Sequence, residues 1–449
     1  MFIQYFFTDS LSHISYMLIA GDEAFVIDPK RDIQDYLDEA YKRNIQITGV
    51  LLTHPHADFV AGHLELERAT GAKIYAHKES PFTFDFIPIN NGFAINLNHV
   101  QIKVIETPGH TPFDISFLVK DLSRGDDPIC IFTGDTLFVG DVGRPDLFPG
   151  QQEILAHKLF QSLQKLKELA DFVEIYPAHA AGTLCGKKLA EKRTSTIGFE
   201  KRHNSMLKIT NEHQFVKKLL TNLPPVPRHF RRCANINSGN ITFLEKLKPA
   251  KIIDYTTFEE KQKKAYIIDI RSHLSWVGLH MPQTISLDYD CLPLSVYAGW
   301  LLEPDKEIIL ITDRETDLNN LAIQFRRVGL DQPVYVLEKG LNQFLAHHQK
   351  AETEKMVYAD ELPDMIEKGA ILIDVRSEAE PAVNIKNYRH IPLMQLEDKI
   401  ADLDASKKYI IMCQMGVSAV VAASIIKYNR HMDIQILAGG LQTVKNLNL

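Results

Sequence analysis

Cysteine is scarce in this chain, and its few copies follow no framework. The 449 residues hold five, at positions 130, 185, 233, 291 and 413, without Cys-x-x-Cys spacing. An odd, scattered set excludes a disulfide scaffold and a zinc knuckle, and is the pattern of reduced cytoplasmic thiols. Long apolar runs are also missing: no stretch reaches the ~18 residues of a membrane span, so neither spanning nor membrane binding is expected. The opening MFIQYFFTDS lacks a basic segment and meets Asp9 too early for a secretory signal. Basic excess is absent as well. With 50 Lys and Arg against 57 Asp and Glu, the formal charge of -7 argues against a nucleic-acid partner. What remains, 45% hydrophobic and 24% charged residues, excludes long disorder. At roughly 150 residues per domain the length predicts about three domains.

The first 203 residues alternate strand and turn signals. SYMLIAGDEAFVID reads as a hairpin about Gly21-Asp22, and GVLLTH, AKIYAH, FAINL, VQIKVIET, ISFLV and PICIFTGD read as further strands. QQEILAHKLFQSLQKLKELA has the spacing of an amphipathic helix. TNLPPVPRHF, with Pro224, Pro225 and Pro227, reads as a linker. Beyond it strands and helices alternate, as in parallel α/β units. These units repeat: AYIIDIRSHLSW (265–276) matches AILIDVRSEAEP (370–381), and VLEKGL (336–341) matches ILAGGL (436–441). The charged stretch 347–356 would join the two copies. The predicted boundaries are 1–220 for the first domain, 221–245 for the Pro-rich linker, and 246–346 and 357–449 for the repeated modules.

The sharpest chemical signal is THPHADFVAGH at 53–63, where an apolar strand runs out into His54, His56 and Asp58. ETPGHT delivers His110, IFTGDT delivers Asp135 and IYPAHAAG delivers His179 at three more strand ends. Such endings converge at the mouth of an α/β sheet. Imidazole plus carboxylate, without thiolate, points to a metal. By contrast His13, His77, His99 and His157 carry no such context and read as structural.

THPHAD, TPGHT and TGD, in that order, resemble the metallo-β-lactamase superfamily. That resemblance implies an αββα sandwich with a metal at one edge. Binuclear hydrolases of the superfamily carry H-x-H-x-D-H, and Phe59 stands here in place of the last histidine. A phenyl ring cannot ligate, so a single metal is expected. FVGDVGRPD (138–146) is similar to the persulfide dioxygenase branch. This implies one Fe(II) per chain on His54, His110 and Asp135, with His56, Asp58, Arg144 and His179 as supporting groups. The expected reaction oxidises a small thiol persulfide, of glutathione, coenzyme A or bacillithiol type, with O₂ to sulfite. Two alternatives are a zinc-dependent thioester hydrolase of the glyoxalase II type, which Phe59 and GDVGRPD oppose, and a non-catalytic persulfide carrier or sensor.

Cys185 follows His179 by six residues and opens a basic segment. Lys187, Lys188, Arg193 and Arg202 within it are expected to attract an anionic thiol carrier. The CGK segment is similar to one in bacterial persulfide dioxygenase–sulfurtransferase fusions, which implies that Cys185 handles persulfide. Further on, KKYIIMCQMGVSAVVAASII (407–426) reads as a strand, a Cys-led loop and a helix, placing Cys413 by backbone N–H groups and a helix N-terminus. With IDVR upstream and GGL downstream it resembles a rhodanese domain, and Cys413 would then carry sulfane sulfur to sulfite. The loop departs from the usual C-x-x-G-x-R, with Ser418 in place of Arg. In the middle copy, IILITDRETD puts Asp313 where the cysteine is expected, so 246–346 reads as a silent rhodanese-like module. The whole is expected to be a cytoplasmic α/β enzyme, a metallo-β-lactamase-like sandwich followed by two parallel-sheet rhodanese-like modules, with self-association left open.

Overall fold

The computed structural model describes residues 1–183, 185–186, 189–315, 317–378, 380, 383, 385–430 and 432–444. Two compact units divide them: 1–246 with 326–329, and 247–325 with 330–444.

The first unit holds two mixed six-stranded sheets. One runs in sequence order through β1 (Phe2–Thr8), β2 (His13–Ala20), β3 (Glu23–Ile27), β4 (Gln46–Leu51), β5 (Lys73–His77) and β6 (Ile87–Ile89). The expected hairpin is there, with Ala20 opposite Glu23 across Gly21-Asp22. The other sheet contains β7 (Ala94–Leu97), β8 (Val100–Glu106), β9 (Ile115–Asp121), β10 (Pro128–Gly134), β11 (Glu174–Pro177) and β12 (Ser195–Thr196) in the spatial order β12-β11-β10-β9-β8-β7.

Strand periodicity explains the layering. Tyr16, Leu18 and Ala20 of β2 face a core shared with Ile102, Val104, Phe117, Val119 and Phe132 of the second sheet. Met17 and Ile19, one residue out of phase, face Tyr36 and Ala40 of the helix Gln34–Arg43. On the far side of the second sheet Leu118 and Ile131 pack under Ala156, Leu159 and Leu163 of the helix Gln152–Lys167. Strands buried on both faces lose the simple apolar–polar alternation and read as continuous apolar runs.

Residues 221–245 are not the linker expected from their prolines. They carry the helix His229–Asn237, whose Phe230 and Cys233 are buried, and they belong to the first unit. The prolines occupy the approach to that helix, and its apolar face then packs inward.

In the second unit each module is a five-stranded parallel sheet. The first comprises β13 (Lys251–Ile253), β14 (Ala265–Asp269), β15 (Ile285–Ser286), β16 (Glu307–Ile311) and β17 (Val334–Leu337), ordered β13-β17-β16-β14-β15. The second comprises β18 (Lys355–Val357), β19 (Ile371–Asp374), β20 (Tyr388–His390), β21 (Tyr409–Met412) and β22 (Ile434–Leu437), in the equivalent order β18-β22-β21-β19-β20. The repeat in sequence is therefore a repeat in topology. The second module begins with β18, at Lys355 rather than 357.

Candidate metal centre and sulfur-carrier loop

Four strand ends of the first unit deliver the predicted group. Beyond β4, Thr53 donates its backbone N–H and its hydroxyl to Asp28 (2.8 and 2.7 Å). With its proton spent on Asp28, the Thr53 hydroxyl oxygen accepts from His54 Nδ1 at 2.9 Å. His110 Nδ1 donates to the Arg144 carbonyl at 2.8 Å. Both imidazoles therefore carry their proton on Nδ1 and present an Nε2 lone pair. Those lone pairs face Asp135 Oδ2, at 3.9 Å from His54 and 3.5 Å from His110. His54 Nε2 and Asp135 Oδ2 are buried and accept no hydrogen bond. Three acceptors converging without a proton between them are an electrostatic liability unless a cation sits there, so these residues fit a metal ion.

Glycine makes the approach close enough. Gly134, at φ +52°, lies where a Cβ would meet the Thr53 hydroxyl at 2.5 Å, and a Cβ on Gly143 would stand 2.0 Å from the Asp135 carbonyl oxygen. The TGD and GRPD motifs are thus packed on one another, and Gly143 brings in the Arg144 carbonyl that orients His110. The Arg144 guanidinium itself bonds both oxygens of Asp146 (2.7 and 2.8 Å) and the Pro224 carbonyl. Its support of His110 runs through the main chain.

His179 bridges two carboxylates: Nδ1 to Asp135 at 2.7 Å and Nε2 to Asp58 at 2.8 Å. Burial opposes its charge, but Asp135 and Asp58 hold its pKa well above the usual imidazole value. Burial likewise opposes ionisation of Asp135, yet the charged His179 bonded to it keeps that carboxyl well below the ordinary range. His56 Nε2 lies 3.1 Å from Asp28, which raises its pKa against the effect of burial.

Cys185 does come to this site. Its sulfur, Asp58 and His179 form a second buried group of potential ligands within 4.8 Å of one another. Burial first, then the Asp58 and Asp135 charges, push its thiol well above the ordinary value, so it is protonated at neutral pH. Phe59 is fully buried against His56 (4.7 Å between ring centroids) and His13 (4.2 Å). Lys187 and Lys188 lie outside the described residues. Arg193 stacks over Phe7 at 3.8 Å, and Arg202 pairs with Asp171 at 3.1 Å, so both have partners of their own.

Sequence reasoning missed four contributors. His13, read as structural, is fully buried with neither ring nitrogen bonded, and its ring lies 5.4 Å from that of His179. Asn237 accepts from the Ala61 N–H and donates to the His56 and Phe59 carbonyls, each at 2.8 Å. His229 Nε2 bonds the Asp58 carbonyl at 3.1 Å. Asp114 receives the His110 and Thr111 N–H groups, and burial raises its carboxyl to about 6 despite them. Only Asp114, four residues past His110, had a local sequence signal.

In the second unit, Cys413 follows β21 directly and precedes the helix Val417–Asn429. It is buried, and its sulfur accepts the Gly416 N–H at 3.0 Å. A Cβ on Gly440 would stand 2.4 Å from the Cys413 carbonyl, so the GGL turn closes on the loop. Tyr297, from the helix Leu294–Leu301 of the preceding module, lies in the electrostatic neighbourhood of Ser418 and Cys413. In the preceding module the cysteine's counterpart is Thr312, not Asp313. Ile311 pairs with Asp269 as Met412 pairs with Asp374, and Gly340 closes on Thr312 as Gly440 does on Cys413. The repeat offset shrinks from 105 to about 100 along the module, which misplaced the assignment by one residue. A hydroxyl, like a carboxylate, cannot carry sulfane sulfur.

Comparison with known proteins agrees with this geometry. Residues 11–179 match the metallo-beta-lactamase superfamily, and residues 255–347 and 358–447 match the rhodanese-like domain. A hydroxyacylglutathione hydrolase of Francisella tularensis subsp. novicida (strain U112) is 33% identical over 180 residues, 39% of this chain. The chain spans 66% of that protein's length. The crystal structure of a metallo-beta-lactamase from Staphylococcus aureus subsp. aureus COL is 31% identical and covers 75% of this chain and 98% of its own, with a TM-score of 0.67. ETHE1 from Myxococcus xanthus is 25% identical over 54% of this chain and 99% of its own, with a TM-score of 0.47.

Proposed function

Because the chain belongs to the metallo-β-lactamase superfamily and carries two rhodanese-like domains, we propose that it oxidises a small thiol persulfide to sulfite and passes sulfane sulfur through Cys413. The observation that carries this reading is the pair of lone-pair imidazoles facing a single carboxylate oxygen, with phenylalanine where binuclear hydrolases have a further histidine. His54, His110 and Asp135 would hold one Fe(II). Bound there, iron supplies the electron transfer to O₂ that zinc cannot.

The rest is the work of the chain. Thr53 and the Arg144 carbonyl fix the two ligand tautomers. His179, held between Asp58 and Asp135, is a proton store beside the ligands. Phe59 and His13 wall the group from water. The overall step consumes persulfide anion, O₂ and water and yields thiolate, sulfite and two protons. At the second site Cys413 takes sulfane sulfur from a persulfide, releasing the thiol, and yields it to sulfite as thiosulfate. The Gly416 N–H donates to Sγ and holds that sulfur at the mouth of the loop.

A second reading, thioester hydrolysis, is favoured by the hydroxyacylglutathione hydrolases among the relatives and by the adjacent group Asp58, His179 and Cys185. Anaerobic metal analysis with an oxygen electrode separates the two. The proposal expects iron near one per chain and O₂ uptake with glutathione or coenzyme A persulfide. Two zincs and thioester cleavage without O₂ establish the hydrolase instead. Cys413→Ser is expected to leave O₂ uptake intact and shift the product from thiosulfate to sulfite, and undiminished thiosulfate would remove Cys413 from the scheme.

A further inference from the structure

A third group of ligand-type side chains lies in the second unit, apart from both sites above. His280 follows the helix His273–Gly278, and Glu352 and Glu354 lie just before β18. The backbone holds them together: His280 and Glu352 exchange N–H···O bonds of 2.9 and 2.8 Å, and Glu354 donates to the Val277 carbonyl at 2.9 Å.

The proton inventory is unusual. His280 stacks on Trp276, 3.9 Å between ring centroids, and its Nδ1 bonds the Trp276 carbonyl at 2.8 Å. A carbonyl only accepts, so Nδ1 carries the proton. Burial lowers the ring's pKa to about 4, which leaves Nε2 as a bare lone pair at neutral pH. That lone pair faces Glu354 Oε1 at 3.6 Å and Glu352 Oε2 at 3.8 Å, both beyond hydrogen-bond reach. The Glu354 side chain is 97% buried, and no hydrogen bond reaches its Oε1. Lys427 Nζ lies 3.2 Å from that oxygen, one positive charge against two carboxylates. Arg271, the other cation that acts on His280, is committed to Asp269 and the Leu279 carbonyl.

All three ligand atoms lie within 4.8 Å of one another. A tetrahedral ion with bonds of about 2.0–2.2 Å sets its ligand atoms about 3.3–3.6 Å apart, close to the spacing seen. We propose that His280, Glu352 and Glu354 bind a divalent cation of the zinc class, through Nε2 and two carboxylate oxygens with water completing the shell. The ion ties the 276–280 segment of one rhodanese-like module to the strand that opens the next. Lys427, a quarter exposed, is the built-in competitor, and the ion displaces it from Glu354.

The test titrates the full-length protein, carrying its ordinary metal load, with Co²⁺ and Zn²⁺ and reads bound metal per chain and the Co²⁺ visible spectrum. One further equivalent is expected, with a nitrogen–oxygen spectrum free of thiolate charge transfer. Glu352→Gln, at a partly exposed position, is expected to weaken it at least about tenfold, as loss of one ligand charge requires. Lys427→Met is expected to strengthen it, so the two variants move affinity in opposite directions while both stay folded by circular dichroism. No further equivalent overturns the proposal. So does an equivalent that survives Glu352→Gln, or one that shows thiolate charge transfer and so belongs to a cysteine-containing group, Asp58–His179–Cys185 or His273–Asp288–Cys291.

Discussion

At the scale of single residues, the candidate metal centre is organised less by its three proposed ligands than by what fixes their protons. His54 and His110 are the same residue type in different surroundings, and each is forced to the same tautomer by a different acceptor: a hydroxyl already donating to Asp28, and a main-chain carbonyl. Thr53 is therefore the point at which a small change reaches the metal. Thr53→Val keeps the shape but removes both the bond to Asp28 and the acceptor for His54 Nδ1. Loss of such an outer partner typically weakens metal binding roughly 10–100-fold. If the proposed iron site is right, the expected result is a protein that folds normally and loses its metal to a chelator far sooner, with activity restored by excess Fe(II). Measuring iron retention against chelator concentration checks this, and unchanged retention would show that His54 does not need its hydroxyl.

Secondary-structure elements decide which of these residues sequence can reveal. His54, His110, Asp135 and His179 were legible because each ends a strand, and their motifs are local. Asn237 was not, because it acts 176 residues from Ala61 and lies behind three prolines that read as linker. The register of the modules was nearly legible, and it failed by one residue at Thr312 where loops of unequal length intervene. Asn237 also yields a prediction belonging to its helix. Its amide accepts one N–H and donates to two carbonyls of the 56–61 loop, all buried. Asn237→Ala leaves those groups unpaired, at about 1–3 kcal/mol for each buried group left unsatisfied. Asn237→Asp should not rescue it, since a carboxylate would still accept from Ala61 but would turn an oxygen towards two carbonyl oxygens. Thermal unfolding is expected to fall in both variants, together with metal content. A variant that lost stability but kept full metal would confine the helix to packing.

At the scale of the whole chain, the module with Thr312 in place of the loop cysteine needs a reason to be there. No helix among the described residues is long and apolar enough to cross a membrane, so anchoring by such a helix does not supply one. Within the second unit the reason lies in how the two modules meet. Ser286, ending β15, donates its buried backbone N–H to the Ser424 hydroxyl oxygen of the helix behind Cys413, at 3.0 Å. Trp300 donates to the Met394 carbonyl at 3.0 Å, and Tyr297, one turn earlier on the same helix, reaches Ser418. Ser418 stands where rhodanese loops carry arginine, and Tyr297 of the other module is its neighbour. Tyr297→Phe removes the hydroxyl beside Ser418, and with it at most one hydrogen bond, while keeping the ring. A bond of about 0.5–1.5 kcal/mol corresponds to roughly a two- to tenfold change in rate. If the silent module helps shape the sulfur-carrier loop, Tyr297→Phe should slow thiosulfate formation by that factor while O₂ uptake and metal content stay at the parent level. Ser418→Arg should instead lower the KM for sulfite, because a fixed cation favours an anionic acceptor. Steady-state thiosulfate assays with varied sulfite separate the two effects. A Tyr297→Phe protein with unaltered sulfur transfer would return the middle module to the role of a spacer.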